Sequence, residues 1–163
     1  MMARFYEKLN AFAAKSRPLS AIVRIVDKVI VVGVSLSYLL LLISLFVGRS
    51  DRSLPSLLIP AISFLCVSLI RYIIDRDRPY DKQHLQKILK ARKKGRSFPS
   101  RHVFSASVIA ATFAPISLAL SVTLFASAVL LALCRVIGGV HYISDVLVGL
   151  ALGVIVGILY LFF

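Results

Sequence analysis

The chain has 163 residues, 59% of them hydrophobic and none of them Trp, and its 20 Lys and Arg against 7 Asp and Glu give a formal net charge of +13. A mean hydropathy of +0.89 leaves too little polar material to wrap a soluble core of this size. The charges lie between long uncharged runs rather than on one folded face, which excludes a nucleic-acid partner and points to a single membrane domain over 1–163.

At the N-terminus, Arg4, Glu7, Lys8, Lys15 and Arg17 alternate with Phe5, Tyr6, Leu9, Phe12 and Ala13 up to Pro18. This spacing predicts an amphipathic interfacial helix over 1–20 and no cleavable signal peptide. Arg24, Asp27 and Lys28 read as ordinary boundary charge. A crossing needs roughly 20 apolar residues for about 30 Å of hydrocarbon. Residues 29–47 supply the first, Arg49, Asp51 and Arg52 make a polar turn, and 54–71 supply the second. The long polar stretch Asp75 to His102 follows. Within it, 81–96 reads as a basic amphipathic helix attractive to anionic headgroups, with His84 as a solvated member and Tyr80 lining the headgroup pocket.

The uncharged run Val103 to Cys134 would extend about 48 Å as one helix, too far for one crossing. Pro115 and Ser117 divide it, so two shorter crossings are predicted, 102–115 and 118–137, joined by a hairpin. Gly138 and Gly139 mark the next turn, and 144–163 makes the fifth crossing. The predicted fold is all-α: an integral-membrane bundle of about five transmembrane helices with an interfacial N-terminal helix. Gly149, Gly153 and Gly157 place small residues on one face of the last helix, for packing inside the bundle or for a homodimer contact. Cys66 and Cys134 lie in apolar runs and read as free thiols.

Five crossings bring Arg71 to Arg101, Arg135 and His141, and the N-terminal segment to one side of the membrane, so His102 faces His141. Phosphoryl transfer spreads negative charge over three oxygens and needs fixed cations, a nucleophile and an acid. Arg71, Arg78 and Arg135 supply the cations, and the helix beginning near Ser100 offers its free N–H groups. His141 and Asp145 are four apart and share a helix face, so the carboxylate can fix the tautomer that leaves the other ring nitrogen free to attack. His102 remains to protonate the leaving oxygen.

These residues fall in three ordered motifs: Arg71-Tyr-Ile-Ile-Asp-Arg-Asp-Arg78-Pro79, Pro99-Ser100-Arg101-His102, and Arg135-Val-Ile-Gly-Gly-Val-His141-Tyr-Ile-Ser-Asp145. The chain thereby resembles the type 2 phosphatidic acid phosphatase superfamily over about residues 54 to 163. The resemblance implies that His141 attacks phosphorus, Asp145 orients it, His102 is the general acid, and Arg71, Arg78, Ser100 and Arg135 hold the phosphoryl oxygens, with no metal or other cofactor. Arg71 stands where the family has Lys. Arg101 stands where it has Gly, either as a further phosphate contact or pointing away to solvent or headgroups. The first of the family's six crossings is replaced by segment 1–20. Arg76, Lys90, Arg92, Lys93 and Lys94 read as snorkelling interface anchors.

The implied substrate is a lipid phosphate, with phosphatidylglycerol phosphate, a polyprenyl-linked phosphate or diphosphate, and phosphatidic acid as candidates. With five crossings, all of the 20 Lys and Arg except Arg49 and Arg52 lie on the catalytic side, so a cell-membrane protein with a cytoplasmic catalytic face is expected. The rival reading is a catalytically silent lipid-binding scaffold of the same fold, against which intact His102, His141 and Asp145 argue. Vanadate-dependent haloperoxidases share the anion pocket but are soluble, and a transporter would need ionisable residues deep in the apolar runs.

Overall fold

The structure, a computed structural model, describes residues 2–82, 85–86, 88–89 and 95–162. Seven helices occur among them: α1 (Met2–Lys15), α2 (Arg17–Val47), α3 (Ser53–Ile74), α4 (Pro79–Lys82), α5 (Arg101–Thr112), α6 (Leu118–Ile137) and α7 (Ile143–Tyr160). No strand is present among the described residues, and the all-α membrane bundle expected from the sequence is the fold found.

α1 and α2 part at Ser16, whose side chain accepts from the Leu19 N–H (3.4 Å). Pro18 falls in the first turn of α2, where a missing N–H costs no helical bond. α1 does more than lie on a membrane surface. Tyr6, Asn10 and Ala13, at helical spacing, are buried against the protein, while Phe12 points outward. Asn10 donates to the carbonyls of Gln86 (3.0 Å) and Ile137 (3.1 Å) and accepts from the Gln86 N–H (2.8 Å), fastening α1 to a loop and to the end of α6.

α2 has 31 residues, about 46 Å of helix and well beyond the hydrocarbon thickness. Its first turns, with Arg24, Asp27 and Lys28, therefore overhang the membrane boundary beside the other charged helix ends. By length and apolar composition α2, the run Ser53–Asp81, α6 and α7 can each cross a membrane.

The fifth member of the bundle, α5, is shorter than the helix expected over 102–115. It stops at Thr112 after 12 residues, about 18 Å, and residues 113–116 turn the chain into α6, whose N-cap is Ser117. A helix enclosed by other helices need not match the hydrocarbon. Val103, Phe104, Ala106, Val108 and Ala110 are all buried. The reversal still brings His102 and Arg135 to the same end of the bundle, where both line one cavity.

The glycine stripe of α7 faces α5 within the chain. A Cβ on Gly153 would lie 2.4 Å from the Ser107 Cβ, and one on Gly157 2.3 Å from the Ala111 Cβ. Packing inside the bundle is thus what the small residues permit. The opposite surfaces of α2, α3, α6 and α7 expose Leu, Ile and Val side chains, such as Leu40, Leu65, Leu133 and Ile155, as a lipid-facing shell does. Cys66 and Cys134 are free thiols.

Of the helix expected over 81–96, Asp81 and Lys82 are helical as the end of α4, while Leu85, Gln86, Ile88 and Leu89 are non-helical. Ile88 and Leu89 instead bury themselves in a cluster with Ala13, Val23, Cys134 and Val140, against which Tyr80 packs. Apolar burial against α1 and α2 has overridden the helical pattern. His84, Lys90, Arg92, Lys93 and Lys94 lie outside the described residues.

Candidate active site

Three helix ends and one loop converge on a cavity of about 880 Å³ lined by, among others, Arg71, Arg78, Arg101, His102, Arg135 and His141. α3 delivers Arg71 in its last turn, α5 delivers Arg101 and His102 in its first, α6 ends with Arg135, and His141 sits in the turn before α7. Six of the eight site residues expected from the sequence therefore share one space. The other two, Asp145 and Ser100, stand behind it and are completely buried.

Asp145 is the hub. Its Oδ2 lies 3.5 Å from His141 Nδ1, accepts from the Tyr142 N–H at 3.0 Å and accepts from the Ser97 hydroxyl. Its Oδ1 accepts from Arg76 Nη1 at 2.8 Å. Ser97 Oγ is also 3.4 Å from His141 Nδ1. A carboxylate removed from water is tolerable only when its lone pairs are met in this way. With Nδ1 engaged, Nε2 of His141 is the nitrogen left for the cavity. Burial pushes the His141 imidazole down to about 4, with the Asp145 bond pulling the other way and the Arg78 charge reinforcing the fall. At neutral pH the ring is neutral and keeps a lone pair.

The arginines are held before any ligand arrives. Arg71, 5% exposed, donates to the carbonyls of Ser97 (3.2 Å), Pro99 and Arg96. A planar fork can grip several carbonyls of one loop at once, which a compact ammonium does less well, and this gives the Arg at a family Lys position a structural task. Arg78 donates to the carbonyls of Gly95 (3.1 Å) and Val140 (3.0 Å). Arg135 is clamped by Asp27, Nε to Oδ1 at 2.7 Å and Nη2 to Oδ2 at 3.1 Å. Each guanidinium has five N–H groups, and these bonds use only part of them.

At the N-cap of α5, the Ser100 N–H donates to the Asp145 carbonyl (2.9 Å), which joins α5 to α7. The Ser100 hydroxyl has no hydrogen-bond partner among the described residues and makes no cap bond. An orphaned buried hydroxyl costs about 1–3 kcal/mol, a penalty that an anion at this helix terminus would relieve. Arg101 occupies the first helical position with ordinary negative φ, so no glycine conformation is needed there. Its Nη1 lies 3.5 Å from the Ser68 Oγ, and its guanidinium is 5.6 Å from the Phe64 ring.

The motif pattern of the site matches a known family, and the PAP2 superfamily model covers residues 52–163. The chain belongs to the PAP2 superfamily. In overall structure this PAP2 chain is similar to Aquifex aeolicus LpxE, with a TM-score of 0.76 at 26% identity over 98% of this chain and 94% of that one. Its fold is also similar to that of the first transmembrane PAP2 type phosphatidylglycerolphosphate phosphatase from Bacillus subtilis, with a TM-score of 0.58 at 22% identity over 96% and 90%. No curated protein matches it by sequence.

Three residues of this PAP2 site differ from the sequence reading. Arg76 is not a snorkelling anchor: it pairs with Asp145, bonds Ser144 Oγ (2.9 Å) and stacks 4.3 Å over the Tyr142 ring. Its place inside the first motif, two residues before Arg78, was the available signal. Asp27 is not ordinary boundary charge, since it holds Arg135. Ser97, which joins Asp145 to the 96–99 loop, had no signal beyond its nearness to Pro99 and Ser100. Tyr80 packs in the apolar cluster and is not among the described lining of the cavity. No cluster of three or more His, Cys, Asp or Glu able to hold a metal occurs among the described residues.

Proposed function

We propose that the protein is a membrane lipid phosphatase working through a phosphohistidine intermediate. His141 Nε2 attacks phosphorus, the P–O bond to the lipid breaks, and His102, which burial and the surrounding arginines hold neutral in the empty site, takes up a proton as the anionic phosphate binds and gives it to the departing oxygen. Water, deprotonated by the now neutral His102, then attacks the phosphohistidine, releasing inorganic phosphate and returning His141 and His102 to their starting states. Asp145 orients His141 throughout, with Arg76 and Ser97 holding Asp145. Arg71, Arg78, Arg135, the Ser100 hydroxyl and the N–H groups of α5 take the phosphoryl oxygens.

The observation that carries this reading is the buried His141–Asp145 pair opening onto a cavity ringed by cations and shared with His102. His102 also lines a second cavity of about 260 Å³ together with Val31, Val34, Phe64, Ile109 and Leu131, an apolar setting for the lipid side of the cleaved bond. The reaction assigned to these residues needs no metal, so phosphate release should survive a chelator. Release from short-chain phosphatidic acid in detergent, lost in His141→Ala, tests the function.

The catalytic face is assigned to the cytoplasm because, among the described residues, Arg49 and Arg52 are the only Lys or Arg at the other end of the bundle. Cysteines introduced at Ser50 and Gln86 test this. An impermeant thiol reagent should label position 50 from outside, and labelling at 86 alone would reverse the assignment.

A further inference from the structure

The large cavity holds more positive charge than one phosphate can use. Seven Lys and Arg side chains line it against the single carboxylate of Asp27. Asp27 is spent on Arg135, and Arg96 pairs with Asp75 (3.8 Å). Arg24, Lys28, Arg71, Arg78 and Arg101 remain without a carboxylate partner among the described residues. A phosphomonoester carries up to two negative charges, so about three of these five cations would stay uncompensated around it. Clustered like charges beside apolar walls repel one another more strongly than in bulk water. A volume of about 880 Å³ is also at the upper end for a small-ligand site and far exceeds a lone phosphoryl group.

The surplus is localised. Arg24 and Lys28 are one turn apart on the overhanging start of α2, and three residues beyond Lys28 the same helix turns apolar, with Val31 and Val34 lining the smaller cavity. On α5, Arg101 lines both the large polar cavity and the small apolar one. Arg101 thus stands where the two spaces meet, on the tail side of the reacting phosphate.

We infer that Arg24, Lys28 and Arg101 form a second anion subsite, and that the substrate is a lipid with two phosphates. The outer one reacts at His141, while the inner one, a phosphodiester or the inner half of a diphosphate, sits between it and the tail. This rests on the phosphatase reading above and narrows its substrate class.

The full chain in neutral-detergent micelles tests it with two matched pairs at equal mole fraction: dioleoyl phosphatidylglycerol phosphate against dioleoyl phosphatidic acid, and farnesyl diphosphate against farnesyl phosphate. The expected kcat/KM ratio favours the two-phosphate lipid by roughly tenfold or more in at least one pair, the scale of one charge-assisted contact set. Which pair responds tells diester from diphosphate. The ratio should fall toward one, chiefly through KM, in Arg24→Gln/Lys28→Gln and in Arg101→Ala. Inorganic pyrophosphate should also inhibit the wild type more strongly than orthophosphate, a readout that needs no variant to fold. Ratios near one in both pairs, or a preference untouched by the substitutions, overturn the subsite while leaving the phosphatase reading standing. Phosphate release from none of the four lipids overturns both.

Discussion

Arg76 and Asp145, 69 positions apart, form an ion pair of 2.8 Å in which the carboxylate is fully buried and the arginine is 39% exposed. The pair occupies Oδ1 of Asp145 and turns Oδ2 toward His141, Ser97 and the Tyr142 N–H. Asp145 is thereby fixed from both sides.

Arg76→Gln should lower kcat about tenfold with little change in KM. A charge-assisted bond to a buried carboxylate is worth about 1.5–3 kcal/mol, and the exposure of Arg76 favours the low end. Arg76→Lys should restore part of the loss. Steady-state kinetics of both variants checks this, and an effect confined to KM would assign Arg76 to substrate binding instead.

The acid limb of kcat/KM should reflect His141 with a midpoint near 4. Only the neutral ring can attack, so activity falls as pH drops through the folded value, apart from the substrate's own second ionisation near pH 6. Unfolded His141 binds its proton near 6.5, so folded-state stability is also lost as pH falls from there toward about 4. A pH–rate profile with a substrate-corrected midpoint near 6.5 would contradict the burial of the ring.

Asp27→Asn should destabilise the fold by about 2–4 kcal/mol, because it leaves a nearly buried guanidinium without its counter-charge. Arg135 is 9% exposed and Asp27 13%. Thermal unfolding in detergent measures the loss. A double-mutant cycle with Arg135→Ala should show strong coupling, whereas additive effects would mean that the pair stabilises nothing.

Gly153→Val should both destabilise and inactivate. The new side chain would meet the Ser107 Cβ, which lies 2.4 Å from even an ideal Cβ, and would push away α5, which carries His102. Unfolding and turnover on the same preparation check it. A fully active, equally stable variant would show that α5 can shift without cost.

The helix ends and the His141–Asp145 pair were legible in the sequence because apolar run lengths and a spacing of four act locally. The partners of Arg76 and Arg135 were not. Asp145 is 69 residues from one and Asp27 is 108 from the other, and only the packed bundle brings such distant charges together. The length of α5 was hidden for a related reason. An apolar run carries no mark of where its helix stops, so one helix was expected over 102–115, while α5 ends at Thr112. The segment 81–96 misled because its helical spacing of apolar residues equally serves a loop that buries Ile88 and Leu89.

Covalent trapping is the most direct measurement of the central claim. Wild-type protein mixed with lipid carrying radiolabelled phosphate is quenched in alkali within one turnover, and the label is mapped by peptide mass spectrometry. The account predicts acid-labile phosphate on His141, absent from His141→Ala along with turnover. Undiminished turnover in His141→Ala, or label on another residue, would contradict it.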